Sequence, residues 1–162
     1  ASGALQRAGV SPDVIDGARE LLFSPGISVA REAAIACDTV DVHAMHDPTE
    51  GGIATGLLEM ASAANVGVMV EADQVSVLAE CEEICSALGL DPFGLIASGS
   101  LLAAVAPREA GRLVDALSRE GIPAYEIGRF TDLSDGLKLR TTSGVGDLPA
   151  FDRDELARFL GK

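Results

Sequence analysis

The chain has 162 residues, of which 48% are hydrophobic, and its 25 acidic against 12 basic residues give a formal net charge of −13. This length and apolar content suffice for one domain with its own core. The acidic balance, with lysine and arginine scattered along the chain, argues against nucleic acid or a bare anionic membrane as partner. We expect any phosphorylated ligand to be bound by backbone N–H groups, a helix end or a divalent cation.

The first half of the chain alternates predicted helices and strands. Ser11 followed by Pro12 starts a helix over 11–23, and Pro25–Gly26 breaks the pattern before a second helix that runs to residue 37. Alternation of apolar and polar residues predicts a strand at 40–45. Next we expect a helix over roughly 48–64, a strand at 66–72 and a helix over 78–89 that Gly89 ends.

The second half continues the same alternation after a turn-rich segment at 91–100. The apolar run 101–107 predicts a strand buried on both faces. A helix over 107–120, strands at 124–130 and 137–141, and a short helix over 151–160 complete the prediction. The fold class is therefore α/β (α+β), a mixed β-sheet packed by helices, over 1–162, with 1–24 a helical lead-in and 142–162 a loose tail.

The start of the helix predicted at 48–64 is unusual. Its N-cap to N3 positions carry an acid, a proline and a capping-box glutamate, in the order Asp47, Pro48, Thr49, Glu50. Gly51 and Gly52 follow, although each glycine costs about 1 kcal/mol against alanine inside a helix. Either this turn is kept bare so that an anion can approach the backbone, or the glycines allow close packing or a bend before the helix begins near Ile53.

The neighbouring side chains favour a metal-bridged phosphate over a naked one. Asp47 and Glu50 would repel an anion, but carboxylates commonly hold a Mg²⁺ ion that also binds phosphate oxygens, and Thr49 could donate its hydroxyl. His46 is a candidate hydrogen-bond donor or proton carrier. It would share a metal ion with His43 only if the strand stops before His46, since residues three apart on a strand face opposite sides.

Other polar residues are weaker candidates. Ser98, Gly99 and Ser100 precede the apolar run and either line a cleft at the sheet edge or form an ordinary turn. Arg31 and Arg129 are possible phosphate partners or simply solvated. The three cysteines do not suggest a disulfide framework, and Cys81 and Cys85 are interpreted as core thiols in a reducing, cytoplasmic environment.

Three stretches in series carry a family resemblance. They are VHAMHDPTEGGIATGLLEMA, GLDPFGLIASGSLLAAVAP and GIPAYEIGRFTD, and the resemblance spans roughly residues 22–133. In this order and spacing they resemble the C-terminal domain of the aminoimidazole ribonucleotide (AIR) synthase superfamily. The similarity is strongest to AIR-synthase-related and HypE-like proteins, and the superfamily connects the chain with purine biosynthesis and ligase chemistry.

The resemblance implies a function that the residues alone do not give. Family members use ATP and Mg²⁺ to activate an amide or carbonyl oxygen of a small molecule, and the C-terminal half closes a cleft whose other side the N-terminal half builds. By motif match, Asp47, Thr49, Gly51 and Gly52 would line that cleft, with Ser98 to Ser100 near the same end of the sheet.

The N-terminal half, implied as partner and as the homodimer interface, lies outside this sequence. We therefore expect no tightly bound cofactor and no ATP turnover by this chain alone. The alternative is a non-catalytic binding or regulatory module that retains the fold.

Overall fold

The computed structural model describes residues 2–161. The helices are α1 (Ser2–Arg7), α2 (Pro12–Glu20), α3 (Ala30–Thr39), α4 (Gly52–Ala64), α5 (Ala79–Leu88), α6 (Pro107–Arg119) and α7 (Glu155–Leu160). The strands are β1 (Val42–His46), β2 (Gly67–Glu71), β3 (Leu102–Val105), β4 (Gly128–Thr131), β5 (Leu137–Thr141) and β6 (Gly144–Asp147). Between 2 and 161, no helix is long and apolar enough to cross a membrane.

The strands form two sheets. β1 pairs antiparallel with β3, placing His46 opposite Leu102. The second sheet has the order β4-β2-β5-β6, in which β2 and β5 run parallel and the other neighbours antiparallel. Parallel and antiparallel pairs together confirm the predicted mixed sheet packed by helices.

Two apolar clusters hold these layers together. The larger joins α4 to the four-stranded sheet and to β3, and its buried members are Ala54, Leu57, Met60, Val68, Val70, Leu102 and Leu148. The smaller lies between α3 and α6, and its buried members are Ala36, Val40, Leu113 and Leu117. Because the chain has no tryptophan and few aromatic residues, both cores consist mainly of aliphatic side chains.

Local signals explain several helix ends. The Ser11 hydroxyl accepts a hydrogen bond from the Val14 N–H at 3.3 Å and caps α2. Pro107 is the first residue of α6. Asn65 and Gly89, both in the left-handed conformation, end α4 and α5.

Four sequence-based expectations are corrected. The strand at 101–107 is only Leu102–Val105, and Ala103 within it is exposed, so it is not buried on both faces. The strand at 124–130 begins only at Gly128. The helix after Pro25–Gly26 begins at Ala30. The segment 142–150 is not loose, because β6 forms there by backbone pairing with β5, which its glycine-rich sequence does not signal.

Candidate functional site

Two loops meet at the amino-terminal end of α4. We call them the paired loops: residues 47–52, which precede α4, and residues 97–100, which precede β3. The Ala97 N–H donates to the carbonyl oxygens of Pro48 and Thr49, both at 3.2 Å. The structure thus brings the Ser98–Ser100 segment beside the Asp47–Gly52 turn, although about 45 residues separate them in the sequence.

The first turn of α4 differs from the capping-box prediction. The helix begins at Gly52, and Gly51 is its N-cap, so Asp47 and Glu50 are not at N-cap and N3. Gly51 and Gly52 have φ values of +71° and +64°, where only glycine is unstrained. The glycines therefore turn the chain before the helix begins, as the bend interpretation proposed.

Gly52 also permits close packing against another segment. A Cβ atom on it would lie 2.5 Å from the Leu95 carbonyl oxygen and 2.6 Å from that of Phe93. One helical turn later, a Cβ on Gly56 would lie 2.9 Å from the Pro48 Cβ. Sequence reasoning missed Gly56, yet its spacing of four from Gly52 indicates a shared helix face.

The carboxyl-terminal segment covers part of this turn. Asp154 Oδ2 accepts a hydrogen bond from the Gly51 N–H at 2.9 Å, and Asp154 Oδ1 accepts one from the Leu156 N–H at 2.8 Å. Phe151 packs against Gly94, where a Cβ would lie 2.5 Å from the ring. The Gly51 N–H, which sequence reasoning had left available for a ligand, is therefore already hydrogen-bonded to a carboxylate of the chain itself.

The buried Glu155 fastens the same segment to the loop after α5. It is 5% exposed, and its Oε2 accepts a hydrogen bond from the Asp91 N–H at 3.0 Å. Arg158 bonds both oxygens of Glu155 and donates to the Gly89 carbonyl at 2.8 Å. These contacts offset the cost of burying a carboxylate.

The outer side of the paired loops is polar and accessible. Asp47, Thr49, Glu50 and Ser98 are exposed, and Ser100 is half-buried. Within the described residues, the N–H groups of Gly52 and Ile53 have no hydrogen-bond acceptor, and such groups carry the positive end of the helix dipole. Residues 2–161 contain no group of three or more metal-ligating side chains placed for an ion, so a cation here would need phosphate or water oxygens as further ligands.

His46 points away from the accessible face of these loops. Its Nε2 lies 2.6 Å from Glu59 Oε2, and its Nδ1 is buried without a hydrogen-bond partner. A Cβ on Gly56 would lie 3.5 Å from Nδ1, so this edge of the ring packs against α4. His43 is exposed elsewhere on β1, and the structure does not bring the two imidazoles together.

The two arginine candidates do not join the loops. Arg31 pairs with Glu120 at 2.5 Å, between α3 and the end of α6. Arg129 is exposed on β4 in the other sheet, opposite Met69.

The cysteines differ in burial. Cys85 is buried and Cys81 is half-buried, with 3.9 Å between their sulfur atoms. Burial, with smaller contributions from Cys81 and from the nearby Asp91 and Glu155 carboxylates, raises the pKa of Cys85 to about 12. Burial also raises the pKa of Cys81. Both are therefore protonated, unreactive thiols at neutral pH, whereas Cys37 is exposed.

An apolar surface adjoins the paired loops. We call it the apolar patch: Leu22, Phe23, Ile27 and Ile96, all exposed, with Phe23 76% exposed. Its two segments meet where Gly99 lies over Gly26 and Ile27, since a Cβ on Gly99 would be 3.1 Å from the Gly26 carbonyl oxygen.

These observations define a mixed α/β domain whose accessible polar loops gather at one helix start. Residues 13–138 match the family described as AIR synthase related protein, C-terminal domain. The chain belongs to this family, as its sequence motifs indicate.

Several named proteins are similar to this chain in sequence or in structure. The chain is 34% identical over 117 residues to the "Putative hydrogenase expression/formation protein" of Methanocaldococcus jannaschii, a match covering 70% of this chain and 35% of that protein. It is 36% identical over 83 residues to carbamoyl dehydratase HypE of Rhizobium leguminosarum bv. viciae, covering 51% and 24%. A crystal structure of the hydrogenase maturation protein HypE in complex with ATP superposes with a TM-score of 0.63 at 29% identity, covering 69% of this chain and 36% of that one.

The chain spans about a third of the length of the relatives it matches. The names of these relatives refer to hydrogenase formation and to HypE, so the expected connection with purine biosynthesis and ligase chemistry finds no support in them.

Proposed function

We propose that this chain is the C-terminal domain of an ATP-dependent, HypE-like protein and forms one wall of its nucleotide and substrate cleft. The observation that carries the proposal is the pair of hydrogen bonds from the Ala97 N–H to the carbonyls of Pro48 and Thr49. They unite both predicted ligand segments, 47–52 and 97–100, into one accessible surface. The ATP complex of a HypE supports nucleotide as the ligand.

The chemistry of the paired loops suits a metal-bridged polyphosphate. Asp47 and Glu50 are exposed carboxylates that could bind Mg²⁺ together with phosphate oxygens. The Ile53 N–H and the Thr49 hydroxyl would donate to the phosphate oxygens, with Ser98, Gly99 and Ser100 on the adjacent loop. Sequence reasoning added His46 to this set, but its Nε2 lies 2.6 Å from Glu59 Oε2 on α4.

The apolar patch supports the proposal that another part of the complete protein packs on this side of the domain and forms the second wall of the cleft. Exposed apolar groups that cluster beside a polar site commonly mark contacts with another polypeptide. Because the matched relatives are about three times as long as the matched region, we propose that their amino-terminal part has a counterpart that packs on Leu22, Phe23, Ile27 and Ile96. That counterpart would supply the remaining nucleotide ligands and, in the complete protein, the homodimer contact.

The reaction we propose is ATP-driven activation of an amide or carbonyl oxygen in a small-molecule substrate. One relative is named a carbamoyl dehydratase, and dehydration of a carbamoyl group removes its oxygen. Phosphoryl transfer from ATP to that oxygen would convert it into a good leaving group. The role of the domain would be to position phosphates and substrate, because such transfers depend mainly on positioning and charge stabilisation.

A binding or regulatory module without catalysis is the second candidate. It is favoured by the Asp154 carboxylate on the Gly51 N–H, which removes one amide from any ligand. In that case the turn at 47–52 is a structural junction and the protein binds no nucleotide.

Calorimetric titration with Mg·ATP separates the two candidates. We expect the full-length product of the gene to bind and this chain alone to bind at most weakly. Asp47→Asn combined with Thr49→Val should weaken binding about thirtyfold, since the lost Asp47 metal contact and the lost Thr49 hydrogen bond would each cost about 1 kcal/mol. Asp152→Asn is the matched control, because Asp152 is exposed and outside the paired loops. If the full-length protein does not bind Mg·ATP, the ATP-dependent function is excluded and the non-catalytic binding or regulatory module remains.

A further inference from the structure

The opposite end of α4 borders an open groove against the edge of β1. We call it the β1–α4 groove: it encloses about 430 Å³ and is lined by Ala44, Met45, Glu59, Met60, Ala63 and Ala64, with His46 at its base. All of its lining residues belong to β1 and α4, and none belongs to β3. The paired loops do not contribute to it either.

The outer edge of β1 is unpaired over its last residues. Within residues 2–161, β1 pairs only with β3, and its middle residues His43, Ala44 and Met45 are exposed. Free edges expose unpaired N–H and C=O groups, and proteins usually block them with lysine, proline, a bulge or a covering segment. The sequence from Val42 to His46 contains neither lysine nor proline, although a register shift lies between Val42 and Ala44.

The walls of the groove allow another backbone to approach this edge. Ala63 and Ala64 are exposed and small, so the last turn of α4 leaves room beside the strand. Met45 and Met60 supply flexible apolar side chains that adapt to different partners. Such a channel beside a strand edge suits an added β-strand.

One wall of the groove carries an oriented negative charge. Glu59 is 56% exposed, and His46 Nε2 holds its Oε2 at 2.6 Å. Among the described residues, Glu59 Oε1 makes no hydrogen bond. The His46 imidazole thus orients the carboxylate while one oxygen stays available for a cationic donor.

We propose that the β1–α4 groove binds an extended segment of a partner polypeptide, which adds as a strand to β1. The segment carries apolar side chains at alternate positions and a lysine or arginine that pairs with Glu59. Charge favours this occupant over a second copy of the chain, because two molecules of net charge −13 repel each other.

Two synthetic decapeptides test the proposal on the chain as it stands. Both have the same alternating valine–threonine centre, and one is flanked by lysines and the other by glutamates. Binding is followed by fluorescence anisotropy and by the backbone amide shifts of residues 42–46. We expect the lysine peptide to bind and to shift those amides, with affinity falling as salt increases, and the glutamate peptide not to bind.

Two variants locate the site. Glu59→Gln keeps a polar contact to His46 and removes the charge, and should weaken the lysine peptide about tenfold. Ala63→Glu fills the groove and should abolish binding, whereas Ala34→Glu, on an exposed face of α3, should have no effect.

Three outcomes overturn the proposal. The first is equal binding of both peptides or an unchanged affinity of Glu59→Gln. The second is no binding, with the amides of 42–46 unmoved at millimolar peptide. The third is a molecular mass that rises with protein concentration together with shifts of the β1 amides, which assigns the edge to a second copy.

Discussion

The two ends of α4 are built in opposite ways. At the amino-terminal end, Gly52 lies against the backbone of residues 93–95, and Asp154 takes the N–H of Gly51. At the carboxyl-terminal end, Ala63 and Ala64 are exposed beside an unpaired strand edge. The first end is closed by segments 40 to 100 residues distant in the sequence, and the second is open.

Glycine and alanine residues therefore have different structural roles at the two ends of α4. Small residues at the first end allow the chain's own segments to approach, so their cost in helix propensity is offset by packing and hydrogen bonds. Small residues at the second end are exposed and line the open β1–α4 groove. A ligand at the first end must therefore use the outer side of the paired loops, while a partner at the second end can use the backbone edge itself.

Gly52→Ala should have the largest effect on stability. The substitution places a Cβ about 2.5 Å from a backbone carbonyl oxygen at a φ of +64°, so we expect unfolding free energy to fall by about 3 to 4 kcal/mol. Urea denaturation measures it. Gly111→Ala is the control, because Gly111 lies inside α6 with nothing within 4 Å, and it should stabilise by about 0.5 to 1 kcal/mol. Near-wild-type stability of Gly52→Ala would show that the closed end is not tightly packed.

Leu148→Ala tests whether the carboxyl-terminal segment is part of the core. Leu148 is buried among the residues of α4, β2 and β3, and its N–H donates to the Leu137 carbonyl at 2.9 Å. We expect a loss of about 2 to 3 kcal/mol in chemical denaturation, from lost burial and the cavity left behind. The exposed Leu160 provides the comparison: Leu160→Ala should change stability by less than about 0.5 kcal/mol. Equal effects of the two substitutions would mean that the segment is not docked.

Asp154→Ala removes the internal carboxylate from the closed end. It leaves the Gly51 N–H unpaired and uncaps α7, so a loss of about 2 kcal/mol is expected in thermal or urea unfolding. Asp152→Ala, at an exposed position two residues earlier, should be nearly neutral. If Asp154→Ala is equally neutral, the contact does not hold the turn.

The smallest expected effect is a pH dependence from Cys85, a buried residue of α5 near Asp91 and Glu155. Its folded pKa of about 12 exceeds the ordinary value of 9.0, so the contribution of the buried neutral thiol to stability is complete below pH 9 and is lost as pH rises from 9 towards 12. By about pH 10 the loss should reach about 1 kcal/mol relative to neutral pH. Urea denaturation at both pH values measures this loss of unfolding free energy in the wild type and in Cys85→Ala, and the variant should not show it. An equal loss in both proteins would contradict the assignment to Cys85.

Local patterns in the sequence predicted most of the elements but few of their contacts. Ser11, Pro12 and Gly89 mark helix ends through interactions within a few residues, and the structure confirms them. The start of α4 was misplaced because a capping-box pattern was read as helix, whereas the contact of Gly52 with residues 93–95 sets the turn. β6 was missed because pairing with β5, rather than its own glycine-rich sequence, forms it.

At the candidate site, too, local patterns were visible in the sequence but contacts between distant segments were not. The D-P-T-E-G-G motif and the A-S-G-S segment each marked a candidate turn in the sequence, but only the fold shows that Ala97 joins the two. Asp154 and Glu59 carried no signal, because each acts through a partner that is distant in sequence or on another element. The free edge of β1 is a property of the sheet and cannot be read from residues 42–46 alone.

Hydrogen exchange of the full-length protein with and without Mg·ATP tests the central claim most directly. The account predicts slower amide exchange on nucleotide addition in residues 47–54 and 96–100, with residues 43–46 and 59–64 unchanged, because the nucleotide faces the paired loops and not the β1–α4 groove. Unchanged exchange throughout 47–54 and 96–100 under saturating nucleotide would contradict it.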